Sequence, residues 1–243
     1  SSSLALTSST LSISSSPGYA GLISGSGRLV LGTVNGSVVL TGANSTFSGG
    51  ATLSAGTLFL GASSQAGTLS GPLGSGTLFV TGNSTTISGL TVARTLVNSL
   101  NITASTLSFT GANITFDSGT LSPTGSISLP GSLSLSIATG MDVSLLQTIT
   151  GGTVGGSLTK SGLGRLILGG NSSNAFSGTL TVSQGVLGLY ADPFGLGTGT
   201  LSLNGTTLEY LGASGLAMTR PVAMSTSGGT LLASGSGALL FGG

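Results

Sequence analysis

The chain has 243 residues, of which 4% are charged, with five basic against four acidic side chains, a formal charge of +1 and no Cys, His or Trp. That inventory leaves no basic patch to neutralise phosphates, no thiolate or imidazole to ligate a metal and no disulfide, so neither nucleic acid nor a cofactor is expected as a partner. Glycine and proline make up about a fifth of the residues, below the roughly 25–30% of unstructured low-complexity chains, and the mean hydropathy of +0.56 favours a folded chain, read as one domain over 1–243. No apolar run approaches the ~18 residues of a membrane helix, and the opening SSSLALTSST has no basic n-region, which suits a mature or excised segment.

In chain order, short strands with alternating apolar positions recur: Leu4/Leu6, Leu11/Ile13, Leu133/Leu135/Ile137, Leu166/Leu168, Leu187/Leu189 and Leu201/Leu203. Period two puts each set on one face, while the intervening Ser, Thr and Gly suit a hydrated, uncharged outer face. Asn35-Gly36, Gly71-Pro72, Asp192-Pro193 and Asn204-Gly205 mark turns. Helical periodicity is nowhere sustained, so essentially no α-helix is expected.

The strands are organised in repeats. FSGGATLSAGTLFL (Phe47–Leu60) lies without a gap over FSGTLTVSQGVLGL (Phe176–Leu189), and GSGRLVLG (Gly25–Gly32) matches GLGRLILG (Gly162–Gly169) and GSGALLFG (Gly235–Gly242). The copies span about 24–82, 156–205 and a truncated third from 228. Their offset drifts from 137 (Gly25 to Gly162) to 129 (Phe47 to Phe176) to 123 (Gly74 to Gly197), as though loops absorb insertions while strands keep register. A sandwich or barrel would use hairpins at the Asn-Gly pairs, and a membrane barrel would want aromatic girdles that three Tyr and no Trp cannot supply. Short strands with Gly-rich corners and inward alternation instead predict an all-β parallel β-helix. At ~20–25 residues per coil it would have about ten coils and, at ~4.8 Å per stacked strand, a length of roughly 50 Å.

The run from Gly156 to Gly205 resembles the autotransporter-associated β-strand repeat, also called the passenger-associated transport repeat. Lys160, Gly162, Gly164, Leu166, Leu168, Asn171, Gly178, Gly185, Leu187, Gly195 and Gly197 fill its pattern. Asn44 to Leu60 is a second, shorter match, and Val92–Val154 fits only as generic strand and turn. The resemblance implies a right-handed parallel β-helix in a passenger segment of an exported bacterial surface protein, without a C-terminal membrane barrel in these residues. Lys160 has Ile23 in its place in the first copy, and Arg28 and Arg165 have Ala238 in the third, so the coil is expected not to need those charges.

Catalysis on such a fold would use carboxylates, and the whole acid inventory is Asp117, Asp142, Asp192 and Glu209. Asp192 precedes a proline in a turn, Asp117 and Asp142 sit beside small turn residues, and Glu209 could approach Arg220; no catalytic site is expected. Repeated calcium sites need an acid in nearly every repeat, and the GxG strings precede no helix that would cradle a phosphate. Asn-x-Ser/Thr at Asn35, Asn44, Asn83, Asn101, Asn113, Asn171 and Asn204 is read as turn chemistry rather than glycosylation. Thr-x-Thr pairs at Thr179/Thr181 and Thr198/Thr200 do not recur in the ladder that ice binding needs.

One pattern stands out: Val30, Ile167 and Leu240 occupy slots that should face outward, and so do Phe59 and Phe79. Either they pack under neighbouring loops or they form a lateral apolar stripe for self-association. The expected role is a non-catalytic structural rod in an extracellular fibre, sheath or adhesin stalk. It would associate with further copies or flanking repeats and, with so little charge, would be indifferent to salt and pH. The alternatives are an adhesin that meets glycan or a host protein through loops in Val92–Val154 and, third, a polysaccharide-active enzyme.

Overall fold

A computed structural model describes residues 3–14, 16–65, 67–117, 125–151, 156–169, 178–190, 199–218 and 220–241. Asn171, Asp192, Gly195 and Gly197 lie outside the described residues, as do parts of Val92–Val154.

The strands wind into a three-faced parallel coil. The first face stacks β2 (Thr10–Ile13), β5 (Arg28–Leu31), β7 (Ala51–Leu53), β9 (Leu78–Val80), β12 (Leu100–Ile102), β15 (Ser126–Leu129) and β18 (Thr148–Gly151). The second stacks β3 (Ser16–Tyr19), β6 (Ser37–Leu40), β8 (Thr57–Leu60), β10 (Thr85–Ser88), β13 (Thr106–Thr110), β16 (Ser132–Ile137), β19 (Ser157–Ser161), β21 (Thr179–Val182), β23 (Leu201–Leu203) and β26 (Val222–Met224). The third stacks β11 (Arg94–Leu96), β14 (Ile114–Phe116), β17 (Asp142–Leu145), β20 (Arg165–Leu168), β22 (Val186–Leu189), β24 (Thr207–Tyr210) and β27 (Thr230–Ala233). Two parallel pairs complete the ends, β1 (Ser3–Leu6) with β4 (Leu22–Gly25) and β25 (Leu216–Met218) with β28 (Leu239–Phe241). The result is an all-β parallel solenoid of about 9 turns, close to the ten expected, with no helix among the described residues.

The core follows from the period-two pattern. On the second face, Leu133, Leu158, Leu180, Leu201 and Val222 stand in register, each one coil above the last. The first four are almost fully buried, and each such leucine contributes roughly 1.5–3 kcal/mol of burial. Parallel pairing requires every coil to return to the same corner; turns do this with residues in the left-handed region, including Asn35 at φ 61° and Gly56 at φ 73°.

Sequence copies do not keep to one face. GSGRLVLG forms β5 on the first face, whereas GLGRLILG forms β20 on the third. Phe47–Leu60 supplies β7 and β8 to the first and second faces, while Phe176–Leu189 supplies β21 and β22 to the second and third. The drift in offset is therefore more than loop length: the first copy places β6 between β5 and β7, and the same grammar of Gly corner and inward leucine serves any side of the coil.

Candidate functional site

The five outward apolar positions do not form one stripe. Val30 and Phe79 share the first face, separated by Thr52; Phe59 is on the second face, Ile167 on the third, and Leu240 in β28. Val30, Phe59 and Phe79 are half-buried, Leu240 is exposed, and Ile167 is 4% exposed. Phe79 lies beneath the Arg28 guanidinium, 5.8 Å from its ring centre, with its edge against the position a side chain on Gly50 would fill. Ile167 stands in register with Gly188, where an added Cβ would come within 3.2 Å of Ile167 and 3.1 Å of Leu211. Those side chains close over the glycine. We therefore expect Ile167→Thr to lower stability by about 1–2 kcal/mol, by losing apolar burial and covering a hydroxyl, and to leave association unchanged. Thermal denaturation and analytical ultracentrifugation of the same variant check both halves.

Gly188 also opens a path for charge. Arg165 on β20 donates from Nε and Nη2 to both carboxylate oxygens of Asp142 on β17, at 3.1 and 2.7 Å, and from Nη1 to Glu209 Oε2 on β24, at 2.8 Å. It reaches Glu209 across β22, where Gly188 contributes no side chain. The other Glu209 oxygen accepts a hydrogen bond from Ser234 Oγ at 2.7 Å, just past β27. One cation thus joins β17, β20 and β24 of the third face, and Glu209 carries the connection on to Ser234. Burial works to raise the Glu209 pKa, but hydrogen bonds from Ser234 and Arg165 outweigh it and hold the carboxyl below its ordinary value; the hydrogen bonds to Asp142 first and then Glu209 raise that of Arg165. Glu209 therefore pairs with Arg165, not Arg220, and Asp142 opens β17 just after the turn at Thr139 and Gly140.

Lys160 occupies an inward slot of β19, between Leu135 and Val182 in the ladder, and is fully buried. Its Nζ donates to the carbonyl oxygens of Ser161 (3.2 Å), Gly162 (2.6 Å) and, one coil on, Gln184 (2.9 Å), while Gln184 Oε1 accepts from the Gly162 N–H at 3.1 Å. Three donors meet three acceptors, so the ammonium locks two stacked turns. Burial pushes its pKa down to about 8.

Among the described residues no three His, Cys, Asp or Glu side chains come together, and no helix is long and apolar enough to cross a membrane. A cleft of about 360 Å³, which the sequence did not disclose, opens at the corner of the first and second faces and is lined by Phe59 with Val34, Asn35 and Asn83.

The passenger-associated-transport-repeat family model matches residues 35–59 and 158–189. The second match begins on β19 and ends on β22, so it contains Lys160, Arg165 and Gly188 together. No curated protein and no solved structure matches the chain. Both matches lie on stacked strands of a parallel solenoid, so over these two segments the chain is similar to the passenger-associated transport repeat, and hit and fold together fit an autotransporter passenger repeat protein.

Proposed function

We propose that the chain is a non-catalytic structural segment of a secreted or surface-exposed bacterial passenger: a rod whose work is to extend and to join other copies or flanking repeats. The observation that carries this reading is where the charges go. Lys160 and the cluster of Arg165, Asp142 and Glu209 all bind one coil to another, and two of the four acids are held by one arginine rather than paired as acid and base. Ladders of buried leucine supply the rest of the cohesion.

Nine coil spacings of ~4.8 Å give a rod about 43 Å long. Electron microscopy and fibre diffraction of native surface material test the proposal: filaments with an axial repeat near 4.8 Å are expected, whereas compact monodisperse particles would overturn it.

A further inference from the structure

We infer that the corner between the first and second faces, around Phe59, is a binding site for a neutral sugar residue. The cleft originates in turn lengths. The turn from β5 to β6 has five residues (32–36), the next from β7 to β8 has three (54–56), and the one below, from β9 to β10, has four (81–84). A short turn stacked between two longer ones is recessed, and at ~4.8 Å per coil its walls stand about 10 Å apart.

Gly56 forms the floor in the left-handed region, and a Cβ there would collide with the Gly36 carbonyl, so the recess cannot be filled from below. Its volume of about 360 Å³ falls within the roughly 300–1,000 Å³ of small-molecule sites.

The lining fits one chemistry. Phe59 offers a half-buried ring, and Val34 at the rim, 79% exposed, adds an apolar edge. Asn83 is oriented: its Oδ1 accepts from Ser105 N and Oγ at 2.7 and 2.9 Å, which leaves Nδ2 without a protein acceptor among the described residues. Asn35, Ser37 and Ser84 add amide and hydroxyl groups that can both donate and accept, and no charged side chain lines the cleft. A pyranose has an apolar C–H face for an aromatic ring and a rim of hydroxyls for amides, and needs no charge. An anionic sugar or a phosphate would find nothing to neutralise it.

Saturation-transfer NMR on the intact chain tests this independently of assembly, with lactose, maltose, cellobiose and N,N′-diacetylchitobiose as probes and sialyllactose as the anionic control. Two variants keep the backbone. Asn35→Gly preserves the positive φ, and Phe59→Leu keeps an apolar residue between Val39 and Ser88. Transfer to at least one neutral disaccharide is expected, reduced at least fivefold in both variants with unchanged thermal midpoints. No transfer to any neutral probe, equal transfer in the variants, or transfer to sialyllactose alone would each overturn the assignment.

Discussion

Arg165→Ala is expected to lower stability by about 2–3 kcal/mol, between the small value of an exposed ion pair and the 3–5 kcal/mol for breaking a buried one. The intermediate figure reflects side-chain exposures of 31% for Arg165 and 29% for Asp142, against 11% for Glu209, which the substitution strands with Ser234 alone. The effect should also be local. In a solenoid each coil is held by its neighbours, so amide exchange should accelerate over 207–210 and 230–233 and stay unchanged over 57–60. Acid provides a second reading of the same contact. Because the folded Glu209 carboxyl is held below its ordinary value, the unfolded chain binds the proton more readily; the stabilisation is present above about pH 4.5 and disappears as pH falls through the lower folded value. Arg165→Ala should flatten that acid limb, and so should Glu209→Gln. A double-mutant cycle should give the two substitutions a coupling of about 1–2 kcal/mol. Uniform exchange along the rod, or additive effects, would dissociate Arg165 from Glu209.

What the sequence disclosed, and what it withheld, follows from how a coil is built. Inward leucines alternate with Ser and Thr over three to six residues, so strand, face and core were readable from period two alone. Contacts between coils were not. Arg165 and Glu209 are 44 residues apart and meet only because register sets Gly188 between Ile167 and Glu209. In the repeat overlay Gly188 stands opposite Phe59; in space it is the gap that Ile167, Leu211 and Arg165 use. The Ile23 that replaces Lys160 in the first copy suggested a dispensable charge, but the two residues sit in β4 and β19, whose neighbours differ. The recess beside Phe59 was latent in turn lengths of five, three and four residues, and became visible only once those turns were known to stack. Indifference to pH, expected from so few charges, should give way at Glu209, held low by Ser234 and Arg165, and at Lys160, lowered by burial.

Lys160 carries the clearest consequence. Its folded pKa is depressed to about 8 against an ordinary value of 10.5, so between these limits the unfolded chain holds a proton that the folded chain has released. Folding stability should therefore rise with pH through this window, by up to about 3 kcal/mol for the full shift. Arg220, lowered to about 10 by burial, would add the same sign only at the upper edge, so chemical denaturation between pH 7.5 and 9.5 isolates the lysine. Lys160→Met keeps an unbranched stem between Leu135 and Val182 and removes the titration, so its stability should be flat across that range. At pH 7 it should lie about 1–2 kcal/mol below the parent, since the carbonyls of Ser161, Gly162 and Gln184 lose their shared donor. Lys160→Ala also empties the ladder position and should cost about 3–4 kcal/mol. A parent chain whose stability falls between pH 8 and 9.5 would show that the three carbonyl bonds outweigh burial and that the ammonium, rather than the amine, is the form the folded turn prefers.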